Sequence, residues 1–358
     1  MRVSVLTIIG VENYGSLLQT IATQFKLEEY ADNVQIINYL HNARLADLLK
    51  GIRNPLRIPF RIYRMFKYKK NFSKLSGKYI KLSKEAYTGE ADFLNSRYDA
   101  DIYFTGSDQI WNPACVRDIP FTLRFLSFIP DEKRRVAFSS SFGVDRMEDE
   151  RVAQSKEWIH RFERISVRED SGVKILNEQY DYHNVIQLVD PTLALSPEIW
   201  RECAPKAKKR PDYILIYAVY INNSFDDYAK ELSRRAGLPL VRICPDVHQA
   251  LRCGKSILIP PVFSFISLID NARYVLTDSL HATMFSMSLN TEPICVCLEN
   301  PGRIMSFLRL LGEERRAVSS YDDFGVLELP VDFAHVNKIL AGERERVDGF
   351  LRSIFRDN

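Results

Sequence analysis

At 358 residues, 46% of them hydrophobic and 27% charged, the chain is too long for one ordinary core and too apolar for a disordered polymer, so two globular domains of about 150 to 200 residues each are expected. No stretch reaches the roughly 18 uninterrupted apolar residues of a membrane span, "MRVSVLTIIG" lacks a leader's small-residue cleavage site, and six cysteines without a C-x-x-C pair predict neither disulfides nor a zinc site and suit the reducing cytoplasm. The net charge of +3 hides an asymmetry: twelve Lys or Arg and no Asp or Glu lie between Leu48 and Lys84, leaving 37 basic against 46 acidic groups elsewhere, a net of −9.

In chain order, short β-branched runs alternate with segments of helical period. "RVSVLTII" and "VQIINY" read as strands flanking the helix "SLLQTIATQFKLEEY". The basic stretch follows. In "NPLRIPFRIYRMFKYKKNF", Arg57, Arg61 and Arg64 recur at i, i+4, i+7 and Ile58, Ile62 and Phe66 at i, i+4, i+8, which predicts a helix with a basic face beside an apolar one. This insertion, about residues 48–84, suits an anionic membrane surface; the blander reading is a solvated helix packed on its domain. Nucleic acid is not an expected partner, because no recognition motif accompanies Tyr63, Phe66 and Tyr68. "ADIYFTG", "RRVAFSSS", "RISVRE" and "VIQLVD" read as further strands, with "ERVAQSKEWIHRF" as a helix among them. After "DPTLALSPEIW", the basic, proline-flanked "APKAKKRP" reads as a linker and the pattern restarts. "DYILIYAVY", "PLVRIC", "KSILI", "RYVLTD" and "PICVCL" are the second set of strands, separated by helices such as "FDDYAKELSRRAG" and "FSFISLIDNA". The pattern predicts an α/β protein of two doubly wound domains meeting across a cleft, residues 1–195 and 196–358, with the last helical segment, about 333–355, packed back on the first.

Ligands of doubly wound sheets bind at the carboxyl ends of the strands, and four polar clusters fall there. In "VENYGS", Asn13, Tyr14 and Gly15 are candidates for ligand contact, although Asn13 and Gly15 also suit a plain turn and Ser16 a helix cap. In "TGSDQIWN", Gly106, Ser107, Asp108 and Gln109 bring backbone and small polar groups forward, while Trp111 suits either a platform for a sugar ring or a packed core. No Walker lysine follows, which excludes an ordinary P-loop, and no G-x-G-x-x-G is present. "SVRED" offers Arg168 and "NPGRIMSF" offers Arg303, and a guanidinium can grip a carboxylate or phosphate with two donors. In "TDSLHATMFS", with Asp278 or Ser279 as N-cap, His281 falls in the first helical turn, where free N–H groups and the positive end of the dipole favour an anion. The ring is expected to be neutral when the site is empty and to gain its proton beside a bound anion. The competing reading is a histidine satisfied within the core.

Taken together, "NYGSLLQTIA", "GSDQIWNP", "SSSFG", "ISVREDSGVKIL", "VDPTLALSPEIW", "PPVFSFISLIDNARYVLTDSLHATMFS" and "GRIMSFLRLLG" resemble the polysaccharide pyruvyl transferase family, in family order over about residues 8–312. The resemblance implies two Rossmann-like domains in a GT-B-like architecture and transfer of the enolpyruvyl carbons of phosphoenolpyruvate to a sugar as a pyruvate ketal. It further implies that His281 is the general acid, that Arg168 contacts the donor, and that a basic residue in the segment holding Arg303 helps to hold the anion. Where the family often has "DSFHGT", this chain has Leu280 and Ala282, and residues 42–90 have no counterpart.

Such chemistry begins by protonating the methylene carbon of the donor, so it needs an acid beside arginines. Asp108 and Asp278 are both candidates for the base that takes the hydroxyl proton. No metal or other cofactor is expected, and the partners expected are phosphoenolpyruvate and a glycan, lipid-linked in view of the basic insertion, which would place the protein at the inner face of the cell membrane. Two alternatives share the scaffold: a glycosyltransferase using a nucleotide sugar, and a non-catalytic anion or glycan binder.

Overall fold

The β-branched runs form strands whose two faces are both covered by helices, which is why they are apolar along their length instead of alternating. The computed structural model describes residues 1–9, 13–39, 58–96, 99–115, 119–206, 212–220, 222–298 and 302–356. Among these, one sheet comprises β1 (Arg2–Leu6), β2 (Asn33–Tyr39), β3 (Leu82–Tyr87), β4 (Ile102–Thr105), β5 (Arg134–Ser140), β6 (Arg164–Val167) and β7 (Val185–Gln187), in the order β3-β2-β1-β4-β5-β6-β7. The other comprises β8 (Ile214–Tyr217), β9 (Leu240–Cys244), β10 (Lys255–Leu258), β11 (Tyr274–Thr277), β12 (Glu292–Val296) and β13 (Ala317–Val318), in the order β10-β9-β8-β11-β12-β13. All pairings are parallel, and Val3 of β1 stands between Val34 of β2 and Ile102 of β4.

The strand order reverses between β1 and β4 in the first sheet and between β8 and β11 in the second, so each sheet has a switch-point crevice at its carboxyl end. The polar clusters after β1, β4 and β11 lead out of these crevices. Two strands, β3 and β13, stand at sheet edges where the apolar signal fades: "LSKEAY" buries only Ser83 and Tyr87, and β13 is two residues long.

Three segments cross between the sheets. The final helix, Phe333–Phe355, follows the second sheet yet lies on the first, where Phe350 stacks near Phe138 (ring centroids 6.5 Å apart) and Phe355 near Phe104 (6.1 Å). Its Asp348 accepts a hydrogen bond from the Tyr30 hydroxyl at 2.7 Å and pairs with Lys26 at 2.6 Å. The helix Ile58–Leu75, inserted between β2 and β3, reaches the second sheet: Arg64 pairs with Asp246 at 2.7 Å, and Asn71 donates to the Pro260 carbonyl at 3.2 Å. The helix Tyr14–Glu28 does the same through Tyr14, which donates to Pro260 at 2.9 Å and stacks on Phe265 at 5.2 Å.

The inserted helix corrects the expected distribution of its faces. Arg64 does not belong to an open basic face but is fixed against the second sheet, while Phe66, on the predicted apolar face, is 62% exposed. Arg57, with residues 48–57 generally, lies outside the described residues, as does the linker stretch 207–211. Among the described residues no helix is long and apolar enough to cross a membrane.

Phe350 is buried against the first sheet, and its truncation leaves a cavity under a helix that returns from the far end of the chain. Phe350→Ala is therefore expected to cost about 3–5 kcal/mol of unfolding free energy, read from the urea midpoint; an unchanged midpoint would mean that the final helix does not hold the first sheet.

Candidate active site

The site grows from the ends of five segments. Asn13 caps the helix Tyr14–Glu28, its side-chain oxygen accepting from the N–H groups of Gly15 (2.8 Å) and Ser16 (3.3 Å). The cap leaves the Ser16 hydroxyl free to donate to Asp108 at 2.6 Å. At the end of β4, Gly106 has φ 115° and lies so close to the Phe138 carbonyl that any Cβ would overlap it. The next residues turn inward: the Ser107 hydroxyl donates to the Ser139 carbonyl at 2.8 Å and reaches Asp190 at 3.3 Å, and Asp108 takes a left-handed φ of 60°.

Arg168, two residues after Ser166 on β6, is buried at the centre of three carboxylates. Its Nε donates to Glu169 at 2.9 Å, and its Nη1 donates to Asp190 at 2.8 Å and approaches Asp108 at 3.5 Å. Its Nη2 is buried and, among the described residues, has no hydrogen-bond partner. Asp190 is the N-cap of the short helix Pro191–Ala194: its Oδ1 accepts from the Thr192 N–H (3.0 Å) and hydroxyl (2.8 Å), which turns Oδ2 toward Arg168.

The second sheet contributes His281, second residue of the helix Leu280–Ser288 after β11. Its Nε2 stands 3.8 Å from Asp190 Oδ2, is buried and, among the described residues, has no hydrogen-bond partner. The ring lies directly on Gly15, where any Cβ would overlap it. The two halves of the molecule thus meet at an imidazole laid on a glycine.

Burial is the main cause that lowers the His281 pKa; Asp190 and Asp108 oppose it, while Arg168 and Arg303 add to it. In Asp108 and Asp190, burial favours the protonated form but is outweighed, first by His281 and Arg168 and then by hydrogen bonds from Ser16 and Thr192, so both pKa values lie below the usual carboxylate range. In Arg168 the three carboxylates outweigh burial and raise the pKa. Arg303, at the start of the helix Gly302–Leu311, is different: burial and the nearby Arg168 lower its pKa, and among the described residues it has no ion-pair partner. A cavity of about 80 Å³ opens here, walled by Arg168 and Asp190 on one side and by Leu280, Met284, Arg303 and Phe307 on the other. Arg168 and Arg303 line this cavity and suit an anion, while His281 is not among its lining residues and is buried beside Asp190, which is.

Other predicted residues are placed elsewhere. Trp111 is not a platform: it is fully buried, donates to the Arg124 carbonyl at 3.2 Å and stacks on Phe125 at 5.3 Å. Gln109 accepts from Asn112 at 2.6 Å, and Tyr14 is core between the sheets. Asp278 is turned to the loop after β8, accepting from the N–H groups of Val219 (2.7 Å) and Tyr220 (2.6 Å), so the structure does not bring it to His281. Ser279 is the N-cap, but its hydroxyl makes no capping bond. Asp190 is the residue that the sequence reading missed; "DPT" signals only a helix start, which explains one of its oxygens and conceals the other.

A polysaccharide pyruvyl transferase family model matches residues 13–296, and the chain belongs to that family. No curated protein was found to match it in sequence. Among solved structures it is similar to S. aureus MnaA in a co-structure with UDP (TM-score 0.56, 9% identity, covering 99% of this chain and 97% of that one). It is similar also to the Methanocaldococcus jannaschii UDP-GlcNAc 2-epimerase in complex with UDP-GlcNAc and UDP (TM-score 0.54, 12% identity, 99% and 100% covered). A UDP-glucosyltransferase from Polygonum tinctorium is a third (TM-score 0.50, 10% identity, 100% and 99% covered). At these identities the likeness is one of fold, and the two-domain α/β architecture is that of GT-B enzymes.

His281 is expected to titrate below the ordinary imidazole value of about 6.5, and Asp190→Asn to lower its midpoint further by removing a stabilising negative charge. Imidazole NMR shifts read this; an unchanged midpoint would show that Asp190 does not act on the ring. Gly15→Ala is expected to displace the ring and change its shifts even where the melting temperature is kept.

Proposed function

We propose, on the premise of membership in the pyruvyl transferase family, that the chain transfers the enolpyruvyl carbons of phosphoenolpyruvate to two hydroxyls of a lipid-linked glycan, forming a cyclic pyruvate ketal and releasing phosphate. The observation that carries this reading is His281: a buried imidazole with an unpartnered Nε2, at a helix N-terminus, beside Asp190 and near Arg168 and Arg303. Phosphoenolpyruvate is an anionic enol ether that reacts by gaining a proton at carbon, and these groups supply an acid and donors for its carboxylate and phosphate.

In the proposed sequence, protonated His281 gives its proton to the methylene carbon, which becomes a methyl group, and positive charge develops on the neighbouring carbon. One sugar hydroxyl adds there; the bond from that carbon to the bridging oxygen breaks, and phosphate leaves with the oxygen. The second hydroxyl adds and closes the ring. The hydroxyls lose two protons, of which one restores His281 and the other leaves on phosphate. We assign Asp108 and Asp190 to stabilising the imidazolium, because carboxylates held below their usual range are poor bases. The route calls on protein side chains alone.

Mixed with phosphoenolpyruvate and a family of lipid-linked glycans, the protein is expected to release phosphate and add a pyruvate ketal to one of them, seen by mass. Label placed in the donor's bridging oxygen should appear in phosphate, and label kept in the ketal would refute the route. His281→Ala is expected to lose at least about 100-fold in turnover while phosphoenolpyruvate still raises its melting temperature. A rise with UDP-GlcNAc and none with phosphoenolpyruvate would move the reading to a nucleotide-sugar glycosyltransferase.

A further inference from the structure

The helix Ile58–Leu75 has two faces with different occupants. Arg64, Tyr68, Asn71 and Leu75, at i, i+4, i+7 and i+11, lie on one side; Arg64 meets Asp246, the Tyr68 hydroxyl is 3.4 Å from the Pro245 carbonyl, Asn71 meets Pro260, and the last three are buried. Turned outward, Tyr63 is 44% and Phe66 62% exposed, with Phe60 at the helix start 52% exposed. Lys69, Lys70 and Lys74 are exposed around them and, among the described residues, have no ion-pair partner. The helix contains no acidic residue. A surface helix that leaves three aromatic rings in water while its other face is fixed by three contacts is not explained by packing among the described residues.

We infer that this face docks on an anionic phospholipid surface, the aromatic rings entering the headgroup and acyl boundary and the lysines meeting lipid phosphates. The chemistry selects this occupant. A second copy of the same face would bring basic charge against basic charge, whereas an anionic bilayer offers apolar depth and negative charge together. Lysine stems can lie along the apolar boundary with their ammonium groups at phosphate level. The pinned face also sets where the cleft goes: Tyr68 lies 6.1 Å from Tyr14, and Tyr14 precedes the Gly15 on which His281 rests. Docking therefore sets the bilayer one helix diameter, roughly 10–12 Å, from Tyr14, with the helix between them. The surface itself does not depend on the identity of the donor.

The test is co-sedimentation of the full chain with vesicles of phosphatidylcholine alone and with vesicles rich in phosphatidylglycerol. The protein is expected to sediment only with the second, to be released by salt, and to lose about fivefold in partitioning for each lysine removed in Lys69→Gln and Lys70→Gln. Tyr63→Ser with Phe66→Ser is expected to abolish sedimentation with an unchanged melting temperature and an unchanged rate on a water-soluble acceptor. The inference is overturned by no binding to anionic vesicles, by equal binding to neutral ones, by variants that bind as well as wild type, or by a change of oligomeric state in the aromatic variant. Vesicle binding needs no turnover, so a chain that binds vesicles but does not consume phosphoenolpyruvate overturns the donor reading alone.

Discussion

Arg168 is the charge on which the junction of the two sheets depends. A guanidinium removed from water is destabilising by several kcal/mol, and so is each buried carboxylate. Glu169, Asp190 and Asp108 are tolerable beside it only as a set, each engaged by Arg168 and by a second donor from Ser141, Thr192 or Ser16. The members come from the loops after β4, β6 and β7, so the set fixes three loops against one another at the lip of the first sheet. Losing one carboxylate leaves its second donor without an acceptor, and losing Arg168 leaves three uncompensated anions. Asp190 is the member that connects this network to the second sheet. With Oδ1 fixed by Thr192, the oxygen facing His281 has little freedom to turn away.

The crossing segments give that contact its register. Tyr14 and the helix Ile58–Leu75 both donate to the carbonyl of Pro260, and the final helix returns to the first sheet. An apolar core runs without a break from the first sheet to the near face of the second, including Leu215 and Tyr217 beside Phe104 and Phe138. A histidine from one domain lies on a glycine of the other because these contacts hold the two switch points face to face. The close approach has no tolerance for a side chain at Gly15.

Much of this was legible in the residues. Parallel strands buried on both faces are continuous apolar runs, so every central strand was found, and the polar clusters at their ends mark where a cleft must be. The residues single out His281 as a candidate because Thr277, Asp278 and Ser279 precede it at a strand end, which weighs against a histidine satisfied within the core. What stayed hidden depended on distance in three dimensions. Nothing in "DPT" says that one oxygen of its capping aspartate faces a histidine 91 positions later, at 3.8 Å. Trp111 gives the same sequence signal as platform or as core, and only the surrounding Phe125 and Phe142 decide for core. Periodicity located the inserted helix but not its orientation, since Arg64 finds Asp246 on another sheet and thereby turns Phe66 outward.

The proposed acid has to be neutral without substrate and charged with it, and the local charges set how large that change must be. Burial holds the ring toward its neutral form. Asp190 and Asp108 narrow the gap without closing it, because Arg168 and Arg303 lie close enough to offset part of their effect. A donor carrying phosphate and carboxylate adds negative charge where Arg303 has no ion-pair partner among the described residues, and the balance at the ring then tips toward the proton. Linkage makes the effect mutual: each unit by which the donor raises the imidazole pKa is about tenfold tighter binding of that donor to the protonated protein. Affinity for the donor should thus weaken as pH rises, and the site need not keep a reactive acid charged while it is empty.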